Sequence, residues 1–519
     1  MKKYIAGIDM GTGGSRCIIF DREGNTVSQA YREIPTLFTQ PGWMEMDPKQ
    51  MIETTYDAVR AAVADGGVDP AEIAALSFSS FQASFACIDR AGEYLGNFIV
   101  WQDIRGTQMF DWINERLAEN GLDAAELYRR CGQPLNIIPS GPRVFWLKEH
   151  MPEYYEKIWR FVTPQSMMVH AFGGEDWYDE RCNGSIWLVQ SCEDYAVDPE
   201  LVRIFGVDAD KYPPIAAPAT PAGRITAAVA ARTGLQEGMP IFVGAADQMC
   251  AALGVGNAGT PDIGHLALGT AGILMAWSET ALRDPRQTYH IIGFPGRGYS
   301  LEAAAPVAAL ALRWLRDLIY PAEAYGTEGI FDRMTAEAQA SPIGANGVIY
   351  LPHLVGALCP VNDGTMRGTF AGLSPATSRG DLVRAVMEGV CYEMKDIIRA
   401  YNDAGAGYFK TLRILGGGTN SDFWNQMQAD VYGFAVEKME TAEASALGAA
   451  MIAAVGAGIY GSFDEACAAM TRVSKTYVPD PARTARYEQI YGAYRRCMND
   501  LSRETYPYLA GLMTPGGEA

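Results

Sequence analysis

The stretch of sequence that decides the fold is YIAGIDMGTGGSRCIIFD, at residues 4–21. A short apolar run leads into an acid and a turn of Gly, Thr and Ser, and a second apolar run follows. Two apolar runs joined by a glycine-rich turn predict a β-hairpin. Glycine lets a backbone approach a ligand closely, so that successive N–H groups can surround an anion. The stretch is therefore compatible with a phosphate site, and equally with an ordinary tight hairpin.

The acid of this hairpin is Asp9, which lies at the end of the first predicted strand. A carboxylate there could hold a hydrated Mg²⁺ beside bound phosphates. An ATP site at this turn would not be a P-loop, because the chain contains no G-x-x-x-x-G-K-[ST] sequence. A dinucleotide site of the Rossmann type is disfavoured as well, because the glycines do not continue into G-x-G-x-x-G spacing.

Length and charge bound the class of protein. A chain of 519 residues predicts two large domains. Its 42 Lys and Arg against 61 Asp and Glu give a net charge of −19, which argues against nucleic acid or an anionic membrane as a partner. Without a run of membrane-span length or a signal peptide, the sequence predicts a cytoplasmic protein. A homodimer is compatible with the sequence.

The sulfur and imidazole groups predict no metal centre. The ten cysteines are scattered without a C-x-x-C pair, which predicts reduced and mostly buried thiols rather than disulfides or a zinc site. The five histidines show no metal-ligand spacing, and we expect them to be structural.

Helix and strand signals follow the hairpin. Asp47 is a good N-cap with Pro48 behind it, and together they predict a helix over residues 48–64. Ser378 or Thr377 predicts the start of a long helix whose apolar residues keep helical spacing. Residues 241–245 are typical of a buried strand.

The second half of the chain starts again with the same pattern. A strand, the turn Gly269-Thr270-Ala271-Gly272 and another strand repeat the arrangement around Gly11-Thr12-Gly13-Gly14, about half a chain length later. Such internal similarity predicts two related domains that face each other, each with a phosphate-binding hairpin. A further strand at 411–415 runs into three glycines and a predicted helix start. The predicted boundaries are 1–250 with a helical, aromatic insertion at about 107–210, then 251–483, then a C-terminal helix and tail at 484–519.

Taken together, these motifs resemble the FGGY carbohydrate kinase family, of the actin/hexokinase-like ATPase superfamily, from about Tyr4 to Tyr477. The sequence GTFAGL at 368–373, followed by DLVRAVME at 381–388, resembles the second family signature. The sequence SGPRVFWLKEH at 140–150 resembles the first, with Arg143 at its usual Lys position. GAADQ at 244–248, GTAG at 269–272 and GGG at 416–418 resemble the catalytic, second phosphate and adenosine motifs.

The resemblance implies an α/β fold of two RNase H-like domains, with ATP, Mg²⁺ and a sugar in the cleft between them. It also implies an ATP-dependent kinase that phosphorylates a hydroxyl of a small ketose, of pentulose type, or of a polyol. Asp247 is the expected general base, because a carboxylate just after a buried strand can accept the hydroxyl proton. A plain helix N-cap is the alternative role for this residue.

The nucleotide is expected to contact both hairpins and the triple-glycine turn. Asp9 is the expected Mg²⁺ ligand. Gly13 and Gly14 replace the Thr and Ser of glycerol kinases, so two hydroxyl donors are lost and the backbone N–H groups must supply more of the phosphate contacts. Trp424 and Gln428 are expected to pack in a helix rather than to contact ligand. The expected nucleotide-binding residues are Asp9, Gly11, Thr12, Gly13, Gly14, Ser15, Arg16, Gly269, Thr270, Gly417, Gly418 and Asn420.

The sugar is expected to lie against the first domain. Glycerol kinases carry Arg-Glu at Gln82-Ala83 and Tyr at Ile138, so this chain lacks three groups that bind glycerol hydroxyls, and glycerol is disfavoured. Typical xylulokinases carry Met-His at Gln82-Ala83, which argues against plain D-xylulose as well. A branched or deoxy acceptor such as autoinducer-2 stays open. The expected sugar-binding residues are Gln82, Ala83, Trp101, Asp103, Ile138, Asp247 and Gln248.

Two other classes remain as alternatives. An actin-like ATPase without a small substrate would keep the hairpins but would not need the Asp247 motif. A catalytically silent sugar-binding paralogue would fit the changes at the phosphate turn and at Gln82-Ala83, but it would not need to keep Asp9 and Asp247.

Overall fold

A computed structural model describes residues 2–321, 329–407 and 409–513. The final residues 515–519, at the end of the predicted C-terminal tail, lie outside these ranges. The strands in chain order are β1 Tyr4–Gly11, β2 Gly14–Asp21, β3 Thr26–Glu33, β4 Glu45–Met46, β5 Ile73–Ser80, β6 Ala86–Ile88, β7 Phe98–Ile99, β8 Arg160–Val162, β9 Asp179–Glu180, β10 Ile215–Ala216, β11 Pro221–Arg224, β12 Pro240–Ala246, β13 Ile263–Leu268, β14 Gly272–Ser278, β15 His290–Gly293, β16 Tyr299–Ala305, β17 Ile349–Leu351, β18 Thr369–Ala371, β19 Thr411–Leu415, β20 Ala435–Met439 and β21 Val473–Tyr477.

The helices begin where the sequence offers caps. The Asp47 side chain accepts hydrogen bonds from the first turn of α1, and Ser378 forms a capping box with Asp381 at the start of α12. The α-helices are α1 Pro48–Asp65, α2 Phe110–Glu119, α3 Ala124–Cys131, α4 Gly141–His150, α5 Pro152–Lys157, α6 Pro164–Phe172, α7 Pro199–Phe205, α8 Ala227–Thr233, α9 Asp247–Gly254, α10 Ala309–Ile319, α11 Ile330–Ala340, α12 Arg379–Asp403, α13 Asp422–Tyr432, α14 Ala444–Gly456, α15 Phe463–Met470, α16 Pro481–Asp500 and α17 Tyr506–Met513.

The opening hairpin forms the centre of the first sheet, whose order is β11-β12-β5-β1-β2-β3. β1, β2 and β3 are antiparallel neighbours, whereas β5 runs parallel to β1 and β12 runs parallel to β5. Gly11 pairs with Gly14 across the turn, so the predicted hairpin is confirmed in its register. The strands that carry the acids Asp9 and Asp247 therefore point in the same direction.

The second sheet repeats this topology, in the order β15-β16-β14-β13-β19-β20-β21. The hairpin of β13 and β14 is extended by antiparallel β16, and β19 and β20 follow parallel to β13. Each sheet therefore consists of an antiparallel meander with parallel strands added at its first strand. The predicted α/β fold with two related halves is confirmed.

Helix α14 connects the two halves through close backbone packing. It consists largely of Ala and Gly and packs on α9 and on β1 and β5 of the first sheet. A Cβ atom at Gly448 would overlap the carbonyl oxygen of Cys250, and one at Gly7 would overlap that of Ala446. Glycine at these positions lets the helix approach the first sheet closely. Ser445 Oγ donates to the carbonyl oxygen of Asp247 at 3.2 Å.

The helices between β7 and β11 pack around an aromatic core of their own. Phe85, Phe161 and Trp187 make edge and stacked contacts there, and Phe145 stacks on Phe205 at 4.5 Å. This cluster lies behind the loops that follow β5 and β7, which are the loops expected to bind the sugar.

Burial of the cysteines follows the sequence expectation. All ten are free thiols, and nine of them are buried. None of the helices in the described ranges has the length and apolarity needed to cross a bilayer.

Candidate active site

Three parallel strands end at one edge of the first sheet and bring the candidate residues together. Asp9 lies near the end of β1, Gln82 follows β5, and Asp247 follows β12. Asp9 and Ser79 are register partners, and the Ser79 hydroxyl donates to Asp9 Oδ1 at 2.6 Å. The sequence separates Asp9 from Asp247 by more than 200 residues, but the parallel arrangement places both at the same end of the sheet.

The two acids interact electrostatically. Burial raises the pKa of Asp247 to about 7, and the negative charge of Asp9 adds to this effect. Burial also raises the pKa of Asp9, while the Ser79 hydrogen bond and the charge of Arg16 oppose the rise. A pKa near 7 would give Asp247 both acid and base forms near neutral pH, which is suitable for a proton acceptor.

The alternative role of Asp247 as a helix cap finds no support. Asp247 is the first residue of α9, and the residue at the cap position is Ala246, which makes no side-chain cap hydrogen bond. Asp247 Oδ1 accepts from the adjacent backbone N–H of Gln248, at 2.8 Å. This leaves carboxylate capacity for another donor.

The first phosphate turn is shaped by its contact with β3. A Cβ atom at Gly14 would overlap the Tyr31 side chain, and the Tyr31 hydroxyl donates to the carbonyl oxygen of Gly13 at 2.8 Å. A Cβ atom at Gly11 would meet only one atom within 4 Å, at 3.7 Å. Packing thus explains the glycine at Gly14, whereas the backbone at Gly11 faces open space.

Two other residues of the turn, Thr12 and Arg16, have side-chain partners in the structure. Trp101 Nε1 donates to Thr12 Oγ1 at 3.4 Å, which links the phosphate turn to a sugar loop. Arg16 forms an ion pair with Glu443, which lies just before α14. This ion pair connects the two halves of the molecule. The Ser15 side chain is buried, and its hydroxyl has no hydrogen-bond partner within the described ranges.

The predicted nucleotide-binding residues in the second half of the molecule line one cavity. Its volume is about 520 Å³, and apolar side chains such as Leu312, Phe331 and Met387 form part of its wall. Trp424 also borders the cavity, although its indole donates to the Met387 carbonyl inside the fold. The predicted residues that line it are Gly269, Thr270, Gly417, Gly418 and Asn420. A flat apolar base and its phosphates would fit this combination of walls and glycine turns.

The loops expected to bind the sugar are held together by one side chain. Arg143, on α4, is almost completely buried, and its guanidinium donates to the carbonyl oxygens of Val100, Ala83 and Ile138 at 2.9, 2.8 and 2.7 Å. Burial lowers the pKa of Arg143. Ala83 has a φ of 56°, a strained value for a residue with a Cβ, and its N–H donates to Asn183 Oδ1 at 3.3 Å.

Asp103 is a correction to the predicted sugar site. Its carboxylate accepts from the backbone N–H groups of Met44 and Arg105 and from the Arg105 guanidinium, at 2.7 to 3.0 Å. These four bonds use both oxygens of a fully buried side chain. Asp103 therefore supports the loop after β7 rather than offering acceptors to a sugar.

A residue that the sequence analysis missed completes the site from the opposite half. Glu302, on β16, accepts a hydrogen bond from Gln82 Nε2 at 2.8 Å and is only 4% exposed. The signal was present in the sequence, because Glu302 is the one charged residue within the otherwise uncharged strand YSLEAAA. An acid in the middle of a buried strand needs a partner or a function.

The residues present fit ATP and Mg²⁺. A Cβ atom at Gly417 would meet nothing within 4 Å, so the backbone there is open to a ligand. The acids supply the hard oxygen donors that Mg²⁺ prefers. Within the described ranges no group of three or more His, Cys, Asp or Glu side chains could hold a metal by itself. Such a site suits an ion held by one or two carboxylates together with phosphates.

Comparison with known proteins agrees with this geometry. Xylulose kinase of Bacillus subtilis (strain 168) is 28% identical over 499 residues, which is 95% of this chain and 96% of that protein. Glycerol kinase of Petrotoga mobilis (strain DSM 10674 / SJ95) is 28% identical over 515 residues, 96% of this chain and 98% of that protein. The structure of ligand-bound xylulose kinase from Lactobacillus acidophilus has the same fold, with a TM-score of 0.88 at 24% identity, and covers 98% of this chain and 100% of that one.

Family models give the same result for both halves. The N-terminal domain model of the FGGY family of carbohydrate kinases matches residues 4–254, and the C-terminal domain model matches residues 264–457. The chain therefore belongs to the FGGY family of carbohydrate kinases.

Proposed function

We propose that this ATP-dependent carbohydrate kinase phosphorylates a pentulose-like ketose, with Asp247 as the general base. D-xylulose is the first candidate because of the relatives, although Gln82-Ala83 replace the Met-His of typical xylulokinases. The observation that carries the proposal is the position of Asp247 at the end of a buried strand, beside Asp9 and with a pKa of about 7. Relatives of nearly full length are named xylulose kinases, which supports a five-carbon ketose as the acceptor.

Asp247 would act by accepting the proton of the sugar hydroxyl as that oxygen attacks phosphorus. Its carboxylate is partly occupied by the Gln248 N–H, which fixes its direction, and its raised pKa keeps it a useful proton acceptor near neutral pH. Asp9 would bind Mg²⁺, and the hydrogen bond from Ser79 would orient the Asp9 carboxylate. When bound, this ion would neutralise phosphate charge and reduce the repulsion between the two acids.

The chain's own departures argue against glycerol. Gln82, Ala83 and Ile138 replace the charged and phenolic groups that glycerol kinases present to their substrate, and a site matched to hydroxyls discriminates strongly. The autoinducer-2 alternative is not favoured, because the relatives are named as xylulose and glycerol kinases. A cytoplasmic location, a homodimer and the domain boundaries stay predictions.

The test is an ADP-release assay with purified protein. D-xylulose, D-ribulose, hexuloses, tetritols, pentitols, glycerol and autoinducer-2 are compared as acceptors, with and without EDTA. We expect the largest kcat/KM with a pentulose, less than a hundredth of that value with glycerol, and no turnover without divalent cation.

Asp247→Asn is the matching variant, because it keeps the shape of the side chain but cannot accept a proton. We expect kcat to fall by about 10²–10⁴-fold while the thermal unfolding curve is unchanged. Sugar-dependent turnover at the wild-type rate in this variant would show that another group is the base. ATP hydrolysis that ignores every sugar would instead support the actin-like alternative, and sugar binding without turnover in the wild type would support the silent paralogue.

A further inference from the structure

Glu302 lies in the middle of β16, the strand next to the edge of the second sheet, and its side chain contacts the first half of the molecule. Its register partners are His290 on β15 and Met275 on β14. Its carboxyl accepts a hydrogen bond from Gln82, a residue of the first half and of the loop that follows β5. The Gln82–Glu302 pair therefore bridges the two halves at the position where the sugar is expected.

Among the described residues, none of the groups that shift the pKa of Glu302 is positively charged. Of the titratable groups around it, Asp247 is an acid, the pKa of His290 is lowered by burial to about 4, and burial raises that of Cys359 to about 12. Tyr401 donates its hydroxyl to the carbonyl oxygens of Leu274 and Leu301. In the described part of the chain no Lys or Arg side chain forms an ion pair with Glu302, and a buried unpaired charge is costly.

Burial and the nearby charge of Asp247 together raise the pKa of Glu302 to about 8. The carboxyl is thus a neutral acid at pH 7, when Asp247 has begun to lose its proton. Because Oε1 accepts from Gln82, the proton of the neutral acid belongs on Oε2.

Two atoms of the pair remain without partners among the residues that the structure describes. They are Glu302 Oε2 and Gln82 Oε1, and both are fully buried. Glu302 Oε2 can donate its proton, whereas Gln82 Oε1 can only accept. A sugar hydroxyl is both a donor and an acceptor, so neighbouring hydroxyls would satisfy both atoms. A carboxylate of a sugar acid would satisfy only one and would add a negative charge near Asp247.

We propose that Glu302 is a substrate-binding residue, and that with Gln82 it binds hydroxyl groups of a neutral sugar as a donor and acceptor pair contributed by the two halves of the molecule. The proposal rests on the proposed function, because it places the acceptor beside Asp247. The alternative is that the Gln82–Glu302 hydrogen bond only holds the two halves together. In that case a substitution of Glu302 should change KM for the sugar and KM for ATP by the same factor.

The experiment compares three variants with D-xylulose and ATP. Glu302→Ala removes both the donor and the bridge, and we expect KM for D-xylulose to rise about 10- to 100-fold while KM for ATP stays within about 2-fold. Glu302→Gln has an N–H where the neutral acid has its proton, so at pH 7 we expect its KM to rise by no more than about 3-fold. The matched control is Glu393→Gln, which changes another buried carboxyl of the same half with an unpartnered oxygen, and which should leave both KM values within about 2-fold.

The pH profile separates sugar binding from a merely structural bond. In the wild type, KM for D-xylulose should rise above about pH 8 as Glu302 ionises, and in Glu302→Gln this rise should be absent. The proposal is overturned if Glu302→Ala leaves KM for D-xylulose within 2-fold, if KM for ATP rises by the same factor, or if Glu302→Gln keeps the alkaline rise. If Glu302→Ala does not fold, the profile of Glu302→Gln decides alone.

Failure of the proposed function is distinguishable from failure of this inference. If the wild type prefers another neutral acceptor to D-xylulose, the substrate proposal fails, and the same variants measured with the preferred acceptor still test Glu302. If Asp247→Asn keeps full activity, the assignment of Asp247 as the base fails. The effect of Glu302→Ala on KM for the sugar still tests the role of Glu302, because it does not depend on which group is the base.

Discussion

Arg143 offers the most direct test of how the sugar loops are held. The guanidinium donates three hydrogen bonds to the carbonyl oxygens of Val100, Ala83 and Ile138, each in a different loop. Lys keeps the positive charge, but its shorter side chain ends in a single nitrogen. The Arg143 guanidinium reaches the three carbonyl oxygens from two nitrogens, and one Lys nitrogen cannot reach all three. Arg143→Lys therefore loosens the loops without removing the charge.

The expected magnitude follows from these bonds. A hydrogen bond that involves a charged group contributes about 1.5–3 kcal/mol. We expect Lys to lose one or two of the three, a loss of about 1.5–6 kcal/mol in the free energy of unfolding. If the loosened loops weaken sugar binding by about 1.4 kcal/mol, KM for the sugar rises about 10-fold. The cavity that holds the nucleotide residues does not include these loops, so KM for ATP should stay within about 2-fold.

The assay combines steady-state kinetics with denaturant unfolding. Arg384→Lys is the matched control, because Arg384 is equally buried but bonds to Glu388, Tyr487 and the Ser341 carbonyl in the second half. The control should lose stability without a change in KM for the sugar. The reasoning is refuted if Arg143→Lys loses stability but keeps its KM for the sugar, or if both substrates are affected by the same factor.

Two further predictions concern Asp247 and the packing of α14. Because the folded-state pKa of Asp247 is raised to about 7, its base form exists above that pH, so kcat/KM for the sugar should fall about tenfold per pH unit below about pH 6.5, and a flat profile between pH 5 and 8 would contradict this assignment. Gly448→Ala places a Cβ atom against the Cys250 carbonyl and should cost about 2–3 kcal/mol in denaturant unfolding, whereas Gly492→Ala, in α16 with nothing within 4 Å of the added carbon, should gain about 0.5–1 kcal/mol. Equal stability of the two alanine variants would refute the packing argument.

Local sequence signals predicted much of the fold because they depend on neighbouring residues. The hairpin register around Gly11, the Asp47 cap and the Ser378 cap are all set within a few positions of the chain. The repeat of the glycine turn predicted the second half, and the second sheet has the same topology. The repeat also predicted that the two halves face each other, and the resemblance added the expectation of a ligand cleft between them.

The site was harder to predict where long-range contacts decide the role of a side chain. Asp103 looked like a sugar ligand, but Arg105 and the Met44 N–H occupy its carboxylate, and no pattern in the sequence fixes that pairing. Glu302 reaches Gln82 from a strand more than 200 residues away, so only the folded chain brings them together. The Arg143 bonds to three loops belong to the same category of contact.

The duplicated sheets explain why the chemistry belongs to one half. In the first sheet, Asp9 lies in register between Ser79 on one side and Arg16 on the other. At the equivalent place in the second sheet, Ala267 lies between Leu415 and Ile273. The same backbone frame thus carries a polar row in one copy and an apolar row in the other. A single acid is enough to organise Mg²⁺ for phosphoryl transfer, and a second carboxylate at half-buried Ala267 would carry a desolvation cost with no ion to bind. The glycine turn, which we expect to bind phosphate through its backbone, is the part that both copies keep.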